Sequence, residues 1–323
     1  MALGPLKLAV LKAPIRGRMG MILRVAMLLV IFAVAIGFVW SATRSNSRVV
    51  LLEMETQVLT MRSLGQGTAW NLPGAIICIP LEAGFDPMQE PGYGPCDARR
   101  YEVSEPEDLT LEWLDGDTAR IAINATGMSV TLLTPQGEAR REGTRIVVPR
   151  EGWPVMGILT FAAEIVVGAP LQPGLSAQLL DGRWEMRQSG WAIAPGRRDV
   201  TEVVKAGDVM RGMVVEVREN CADGARRGRC APQTPAVMYG HILPVVADTA
   251  THIDLVAISA PGRTELSIEH FGSTAPSVVR PSLLDFAITS PLLLALAFLF
   301  SIVASLAQVF TSLNDAFRAS RKL

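Results

Sequence analysis

Two long uncharged stretches lie near the two ends of the chain. Residues 25–43 carry no charge between Arg24 and Arg44, and a second uncharged stretch lies between Asp285 and Asp315. A helix of about 20 apolar residues spans a hydrocarbon core of roughly 30 Å. We therefore predict transmembrane helices at 25–43 and 288–311. A cleaved signal peptide is the alternative for the first stretch, although its apolar region is longer than usual and lacks a small-residue cleavage site.

The middle of the chain has a different pattern, in which apolar and polar residues alternate as in half-buried strands. RVVLLEMET at 48–56 and THIDLVAI at 251–258 are examples, and Asp115-Gly116 and Asp181-Gly182 predict hairpin turns. Further strand candidates are 128–134, 144–149, 155–168, 212–219, 236–247 and 263–271. The pattern implies roughly ten to twelve strands. The predicted fold class is an all-β exported domain, a sandwich or partly closed barrel, flanked by two transmembrane α-helices.

These patterns divide the chain into six segments. A basic cytoplasmic N-terminus covers 1–24, followed by the first span, 25–43. The first strands and an irregular disulfide-bonded segment occupy 44–108, because 64–108 is dense in Gly, Pro and acidic residues. The β-sandwich or barrel covers 109–284, the second span 288–311, and a cytoplasmic tail 312–323.

Composition and charge support an exported domain between two spans. Charged residues make up 19% of the chain, hydrophobic residues 49%, and the mean hydropathy is +0.30. The net charge of -1 argues against a strongly basic nucleic-acid binder. Five basic residues and no acid precede residue 25, and three basic residues and one acid follow Phe310. The positive-inside rule therefore places both termini in the cytoplasm. Arginine outnumbers lysine 26 to 4, as in GC-rich genomes, so we expect a bacterial inner membrane and a periplasmic middle domain.

All four cysteines lie in the predicted exported region: Cys78, Cys96, Cys221 and Cys230. An even number in an oxidising compartment predicts two disulfides. Three connectivities are possible, and we favour Cys78 with Cys96 and Cys221 with Cys230, because each closes a short loop rich in turn formers. A metal site is disfavoured by the absence of a CxxC spacing or a nearby histidine pair.

The sequence contains no GxSxG, HExxH, GxxxxGK[ST] or GxGxxG motif. His252 and Asp254 share one strand face, but strand histidines are usually structural. Glu53 and Glu55 are interpreted as a solvated strand face. We therefore predict no catalytic residue, metal site or cofactor.

Two sets of residues are candidates for contacts. Arg218, Arg226, Arg227 and Arg229 could form a local basic contact to anionic lipid, glycan or an acidic protein surface. In the second span, Ala297, Ser301, Ser305 and Gln308 share one helical face, and Ala33 and Gly37 have the same spacing in the first. Small residues at this spacing predict a helix–helix interface.

The predicted function is that of a two-span membrane protein whose exported β-domain binds a partner or scaffolds an envelope complex without catalysis. Expected partners are membrane or envelope proteins, including a second copy of the chain, and no nucleic acid. One alternative is a signalling or channel-type oligomer, because the two-span topology resembles that of trimeric ligand-gated channels. The other is an envelope enzyme acting on glycan or lipid, which a groove with two facing carboxylates would favour.

Overall fold

A computed structural model of the chain describes most of the middle region. The described residues are 48–66, 68–81, 96–106, 108–137, 140–169, 178–189, 201–219, 234–246, 251–273, 275–282 and 285, together with 297, 298, 301, 302, 305, 308, 309 and 312. The predicted span at 25–43 lies outside these residues, as does most of the span at 288–311. Within the described residues, we find no helix with both the length and the hydropathy needed to cross a membrane.

The described residues include seventeen strands, a 3-10 turn at Arg150–Gly152 and a short helix, α1, at Trp153–Met156. Asp285 and the described residues between 297 and 312 are also helical. The strands are β1 (Arg48–Thr56), β2 (Val58–Leu64), β3 (Ala69–Pro73), β4 (Ile76–Pro80), β5 (Tyr101–Ser104), β6 (Asp108–Glu112), β7 (Asp115–Ile123), β8 (Gly127–Thr134), β9 (Arg145–Pro149), β10 (Leu159–Val167), β11 (Leu179–Ser189), β12 (Thr201–Val209), β13 (Val214–Glu219), β14 (Val237–Val246), β15 (Thr251–Ser259), β16 (Thr264–Glu269) and β17 (Ser277–Val279).

Fifteen of these strands join one antiparallel sheet. Its main path runs β12-β11-β1-β15-β14-β10-β2-β7-β8-β9-β4-β5, while β13 pairs with β10 and β16, and β16 pairs with β17. Strands β3 and β6 form a separate pair. The predicted all-β class is confirmed, and the large sheet is sandwich-like because its strands bury one continuous hydrophobic core.

Strand β1 illustrates how alternation builds this core. Val50, Leu52 and Met54 are buried, whereas Glu53 and Glu55, which alternate with them, are exposed. A strand points successive side chains to opposite faces, so one face packs and the other meets solvent. The predicted strand 48–56 is confirmed in both its bounds and its alternation.

The small sheet is anchored to the core by two tryptophans. Trp70 on β3 packs edge-on against Trp113, with ring centroids 4.8 Å apart. The Trp70 indole N–H also donates to the carbonyl oxygen of Thr160 on β10, at 2.7 Å. Edge-on packing suits the charge distribution of the rings, and the hydrogen bond satisfies the buried indole.

Both predicted Asp-Gly hairpins are wrong. Asp181 and Gly182 lie inside the continuous strand β11, where Gly182 faces Met54 of β1. A Cβ on Gly182 would clash with Met54 Sδ, so the missing side chain allows close pairing of the strands. Gly116 does adopt a positive φ of 86°, but it lies at the start of β7, which pairs with β2 and β8. Strand β6 pairs with β3 instead, so β6 and β7 do not form a hairpin.

The connection between β6 and β7 is held instead by the buried carboxylate of Asp117. It accepts hydrogen bonds from the backbone N–H groups of Leu114, at 2.8 Å, and Gln136, at 2.6 Å. It also accepts one from Arg140 Nη1 at 2.6 Å. The buried charge is therefore paired and hydrogen-bonded, which is the condition under which proteins tolerate one.

The expectation of an irregular segment at 64–108 is also corrected in part. Its described residues contain the strands β3, β4 and β5. Strand β4 pairs with β5 and β9, and it carries the buried Cys78, which is bonded to Cys96. Strands of only four or five residues, two of which end at a proline, show too little alternation to be detected in the sequence.

Gly240 on β14 marks a close approach between strands. A Cβ at this position would clash with the carbonyl oxygen of Val256 and lie 2.8 Å from Ala257 Cα. Both neighbouring atoms belong to the backbone of β15, so they cannot move aside as a side chain could. The site therefore requires glycine.

A capping box lies just beyond β17. The Ser282 hydroxyl accepts from the Asp285 N–H at 3.1 Å, and Asp285 Oδ2 accepts from the Ser282 N–H at 2.8 Å. This reciprocal pair is a helix start signal. Lys205 Nζ on β12 lies 3.5 Å from Asp285 Oδ2, which links this cap to the β-domain. The Ser282 backbone N–H, the Ser282 hydroxyl and Lys205 hold the pKa of Asp285 below its ordinary value.

Candidate functional site

The outward face of strands β12, β11, β1, β15 and β14 carries a row of side chains that are polar or charged except for one valine. The pairing register places His241, Val256, Glu53, Arg183 and Asp208 side by side across these five strands. Directly opposed residues on one sheet face lie within contact distance. Residues far apart in the sequence therefore share one surface.

The next row along the same face is more acidic. Asp254 of β15 and Asp181 of β11 both lie directly opposite Glu55 of β1, one on either side. The register of β1 against β11 shifts between Glu55 and Thr56, which marks a β-bulge at this point. Bulges redirect the side chains beside them and are common at functional sites.

The two rows form an open cleft of about 560 Å³. We call it the acidic cleft, and its charged residues are Glu53, Glu55, Asp181, Arg183, Asp208 and Asp254. Five carboxylates thus accompany one guanidinium. A concentration of one charge sign in a concave surface attracts ligands of the opposite sign.

The one guanidinium of the cleft is shared with a neighbouring acid. Arg183 Nη2 lies 3.1 Å from Glu185 Oε1, and Arg187 Nη2 lies 2.7 Å from Glu185 Oε2. The two arginines therefore bracket Glu185, the outward residue next along β11. Since Arg183 already faces this carboxylate, it only partly offsets the charge of the acidic cleft.

An apolar strip borders the acidic cleft on the same face. It consists of Tyr239 on β14 and Val256 and Ile258 on β15, all exposed. Tyr239 lies directly opposite Ile258, and Val256 is two residues along the strand. Three adjoining exposed apolar side chains beside a charged cleft are typical of a protein-contact surface.

A cluster of three potential metal ligands lies at one end of the cleft. Donor atoms of Glu55, His252 and Asp254 all lie within 4.8 Å of one another. His252 Nε2 is 3.0 Å from Asp254 Oδ1. The imidazole is buried, whereas Glu55 is exposed and Asp254 is half-exposed. One nitrogen and two oxygen donors therefore converge from two adjacent strands.

This arrangement favours binding over acid–base chemistry. Enzymes usually set up a carboxyl group as a general acid by burying it, and Glu53 and Glu55 are exposed. The available chemistry is attraction of cationic groups, hydrogen-bond acceptance and metal ligation. Apolar contact with the neighbouring strip adds to these.

The predicted Cys78–Cys96 disulfide is confirmed, with the two Cα atoms 6.1 Å apart. Cys221, Cys230, Arg226, Arg227 and Arg229 lie outside the described residues. Arg218 is paired within its own strand, because its Nε donates to Glu216 Oε2 at 2.6 Å, and the predicted basic contact stays a prediction. The two residues lie on one face of β13, so the strand itself brings them together.

Of the predicted helix–helix interface, Ala33 and Gly37 lie outside the described residues, while Ala297, Ser301, Ser305 and Gln308 are helical and exposed. The Ser305 hydroxyl donates to the Ser301 carbonyl oxygen at 2.8 Å. This bond satisfies the hydroxyl within its own helix. The interface stays a prediction.

The acidic cleft was missed by the sequence analysis, although its parts were visible. Glu53 with Glu55 and His252 with Asp254 both show same-face spacing. What the sequence does not reveal is the pairing of β1 with β15 across about two hundred residues. Comparison with known protein families, characterised proteins and solved structures finds no match.

Proposed function

We propose that this chain is a membrane-anchored binding protein whose exported β-domain holds a partner protein on the outward face of β12, β11, β1, β15 and β14. The observation that carries the proposal is the acidic cleft bordered by the apolar strip. The proposed partner presents lysine or arginine side chains to the cleft and apolar side chains to the strip. The β-domain contributes a surface and no chemistry to this function.

The membrane part of the proposal rests on the two uncharged stretches. Helices at 25–43 and 288–311 would cross the inner membrane of a bacterium, with both termini in the cytoplasm and the β-domain in the periplasm. The Cys78–Cys96 disulfide supports export, because such bonds persist in oxidising compartments. The second span would begin soon after the capping box at Ser282.

The partner chemistry follows from charge and exposure. Attraction between opposite charges speeds association and selects among partners, while apolar contact supplies affinity. The strip has Tyr239 at its edge, and tyrosine is enriched at protein interfaces. A partner with a basic and apolar segment would engage both features together.

Site-specific photocrosslinking in native membranes tests this surface. A photoreactive amino acid placed at Ile258 in the strip should crosslink to a different protein. The same group at Phe271, which is exposed outside the five-strand face, is the matched control and should give no such adduct. Charge reversal by Glu53→Lys should weaken the Ile258 adduct, because it places a cation against the basic partner.

Two results would contradict the proposal. The first is an Ile258 adduct of twice the mass of this chain, which would place a second copy on the face. The second is an adduct that persists unchanged in the Glu53→Lys variant, which would remove charge complementarity as its basis. Raising the salt concentration should weaken the crosslink in parallel, since salt screens exposed charges.

A further inference from the structure

We propose that Glu55, His252 and Asp254 form a binding site for a divalent transition-metal ion, with Zn²⁺ as the best-fitting ion. Ion binding would not require the proposed partner, because all three ligands come from this chain, although Glu55 and Asp254 also line the acidic cleft. Glu55 lies on β1 and the other two on β15. It would hold the two strands together at one end of the acidic cleft.

The register of the sheet brings the three donors together. Glu55 and Asp254 are directly opposed across the β1–β15 pair. His252 lies two residues from Asp254 on the same strand, so both project from the same face. Their donor atoms lie within 4.8 Å of one another. A single ion bound between them would draw the three donor atoms closer together. The carboxylates that would have to rotate, those of Glu55 and Asp254, are exposed and half-exposed respectively.

The mixed donor set selects the class of ion. Imidazole nitrogen favours zinc, copper, iron and nickel, whereas magnesium and calcium prefer sites made only of oxygen. Zinc accepts histidine nitrogen and carboxylate oxygen, and sites with three protein ligands leave a position for water or a further group. The one-nitrogen, two-oxygen set therefore fits zinc better than magnesium or calcium.

The burial of His252 sets this cluster apart from an ordinary group of surface acids. Only 7% of the residue is exposed, and its Nε2 faces the Asp254 carboxylate. A buried imidazole holds a fixed orientation, which lowers the ordering cost of ligation. The exposed Glu55 leaves the site open to solvent, so an ion can enter.

The surrounding charge adds to the attraction for a cation. Glu53, Asp181 and Asp208 line the same acidic cleft without belonging to the cluster. Their charges act at longer range and raise the local concentration of cations. A specific site must therefore be distinguished from diffuse attraction by the whole cleft.

Titration of the purified full-length chain with ZnCl₂ by isothermal calorimetry tests the site. The protein is first freed of metal with a chelator that is then removed. We expect one saturable equivalent of Zn²⁺, and the same protein should bind Mg²⁺ far more weakly. Removal of an outer-shell partner alone costs metal sites about 10–100-fold in affinity. Glu55→Gln and Asp254→Asn should therefore each weaken Zn²⁺ binding by at least about tenfold.

Asp208→Asn is the matched control, because it removes the same charge from the same cleft outside the cluster. It should leave Zn²⁺ affinity within about twofold of the unmodified protein, since only diffuse attraction changes. A visible absorption spectrum of bound Co²⁺ that changes in His252→Gln would report nitrogen ligation directly. If His252→Gln fails to fold, the two carboxylate variants still decide the question.

The proposal is overturned by any of three results: no saturable Zn²⁺ binding, equal losses in Asp208→Asn and Asp254→Asn, or tighter binding of Mg²⁺ than of Zn²⁺. The measurement uses the chain alone. Its failure would leave the crosslinking test of the partner surface unaffected, and failure of that test would leave the metal site standing.

Discussion

Removal of the Cys78–Cys96 disulfide should destabilise the β-domain by an amount that the structure allows us to calculate. The bond joins residues 18 positions apart, and closure of a loop of that length removes unfolded-chain entropy equivalent to about 3 kcal/mol. Cys78 is fully buried on β4, so its sulfur also fills space in the core. Loss of the cross-link and loss of the sulfur are separable contributions.

Two variants separate them. Cys96→Ala removes the cross-link and leaves the Cys78 thiol in the core, so it should cost about 3 kcal/mol. Addition of Cys78→Ala also removes a buried sulfur and should cost roughly 1 kcal/mol more. Replacement of Cys221 and Cys230, the other predicted pair, should cost less than Cys96→Ala because that loop is shorter.

Urea unfolding followed by tryptophan fluorescence measures these costs. Trp70 on β3 and Trp113, the residue after β6, pack against each other on either side of the disulfide-bonded segment in the sequence. With an m value of about 2 kcal/mol per molar urea, Cys96→Ala should lower the midpoint by about 1.5 M. A Cys96→Ala midpoint that lies within about 0.3 M urea of the midpoint of the unmodified protein would refute the reasoning. So would alkylation of Cys78 and Cys96 in the native, unreduced protein.

Three further perturbations test other parts of the fold. Asp117→Ala should cost about 3–5 kcal/mol, measured by the same unfolding experiment, because two buried-site backbone N–H groups lose their acceptor and the partly buried Arg140 loses its carboxylate partner, keeping only the Glu112 carbonyl oxygen. The exposed Asp115→Ala is the control and should be nearly silent. Gly240→Ala should cost about 1–3 kcal/mol through its clash with β15, whereas Gly262→Ala, whose Cβ would meet nothing nearer than 3.9 Å, should not. Asp285 has a lowered pKa in the folded state, so the capping box stabilises the fold above the ordinary value of 3.8 and loses that contribution as the pH falls through the lower folded pKa. A carboxyl titration by NMR that shows no lowering of the Asp285 pKa, or a lowering that Ser282→Ala leaves unchanged, would contradict the capping box as its cause.

The strands were predictable because alternation is a local property of the sequence. The predicted strands 48–56 and 251–258 match β1 and β15 to within a residue, since one face of each strand meets the core. The hairpins predicted from the Asp-Gly pairs are wrong because the same dipeptide that favours a hairpin can also relieve crowding within a strand. At Gly182, the tertiary contact with Met54 overrides the local turn preference.

The candidate site was less predictable because it depends on which strands are neighbours. Glu55 and Asp254 become a pair only through the β1–β15 register, and Asp181 joins them only through β11. Such pairings link distant parts of the chain and leave no local signature. By contrast, Cys78–Cys96 was predictable because a short loop rich in turn formers limits the choice of partner.

The central claim is that a partner covers the outward face of an exported β-domain. Labelling with a membrane-impermeant maleimide in spheroplasts tests this claim most directly. Phe271→Cys should be labelled rapidly, because the position is exposed to solvent and the proposed topology puts it on the periplasmic side of the membrane. Ile258→Cys should be protected in spheroplasts and labelled rapidly once the chain is purified away from its partner. A Phe271→Cys variant labelled only after lysis, or an Ile258→Cys variant labelled equally fast in both preparations, would contradict the account.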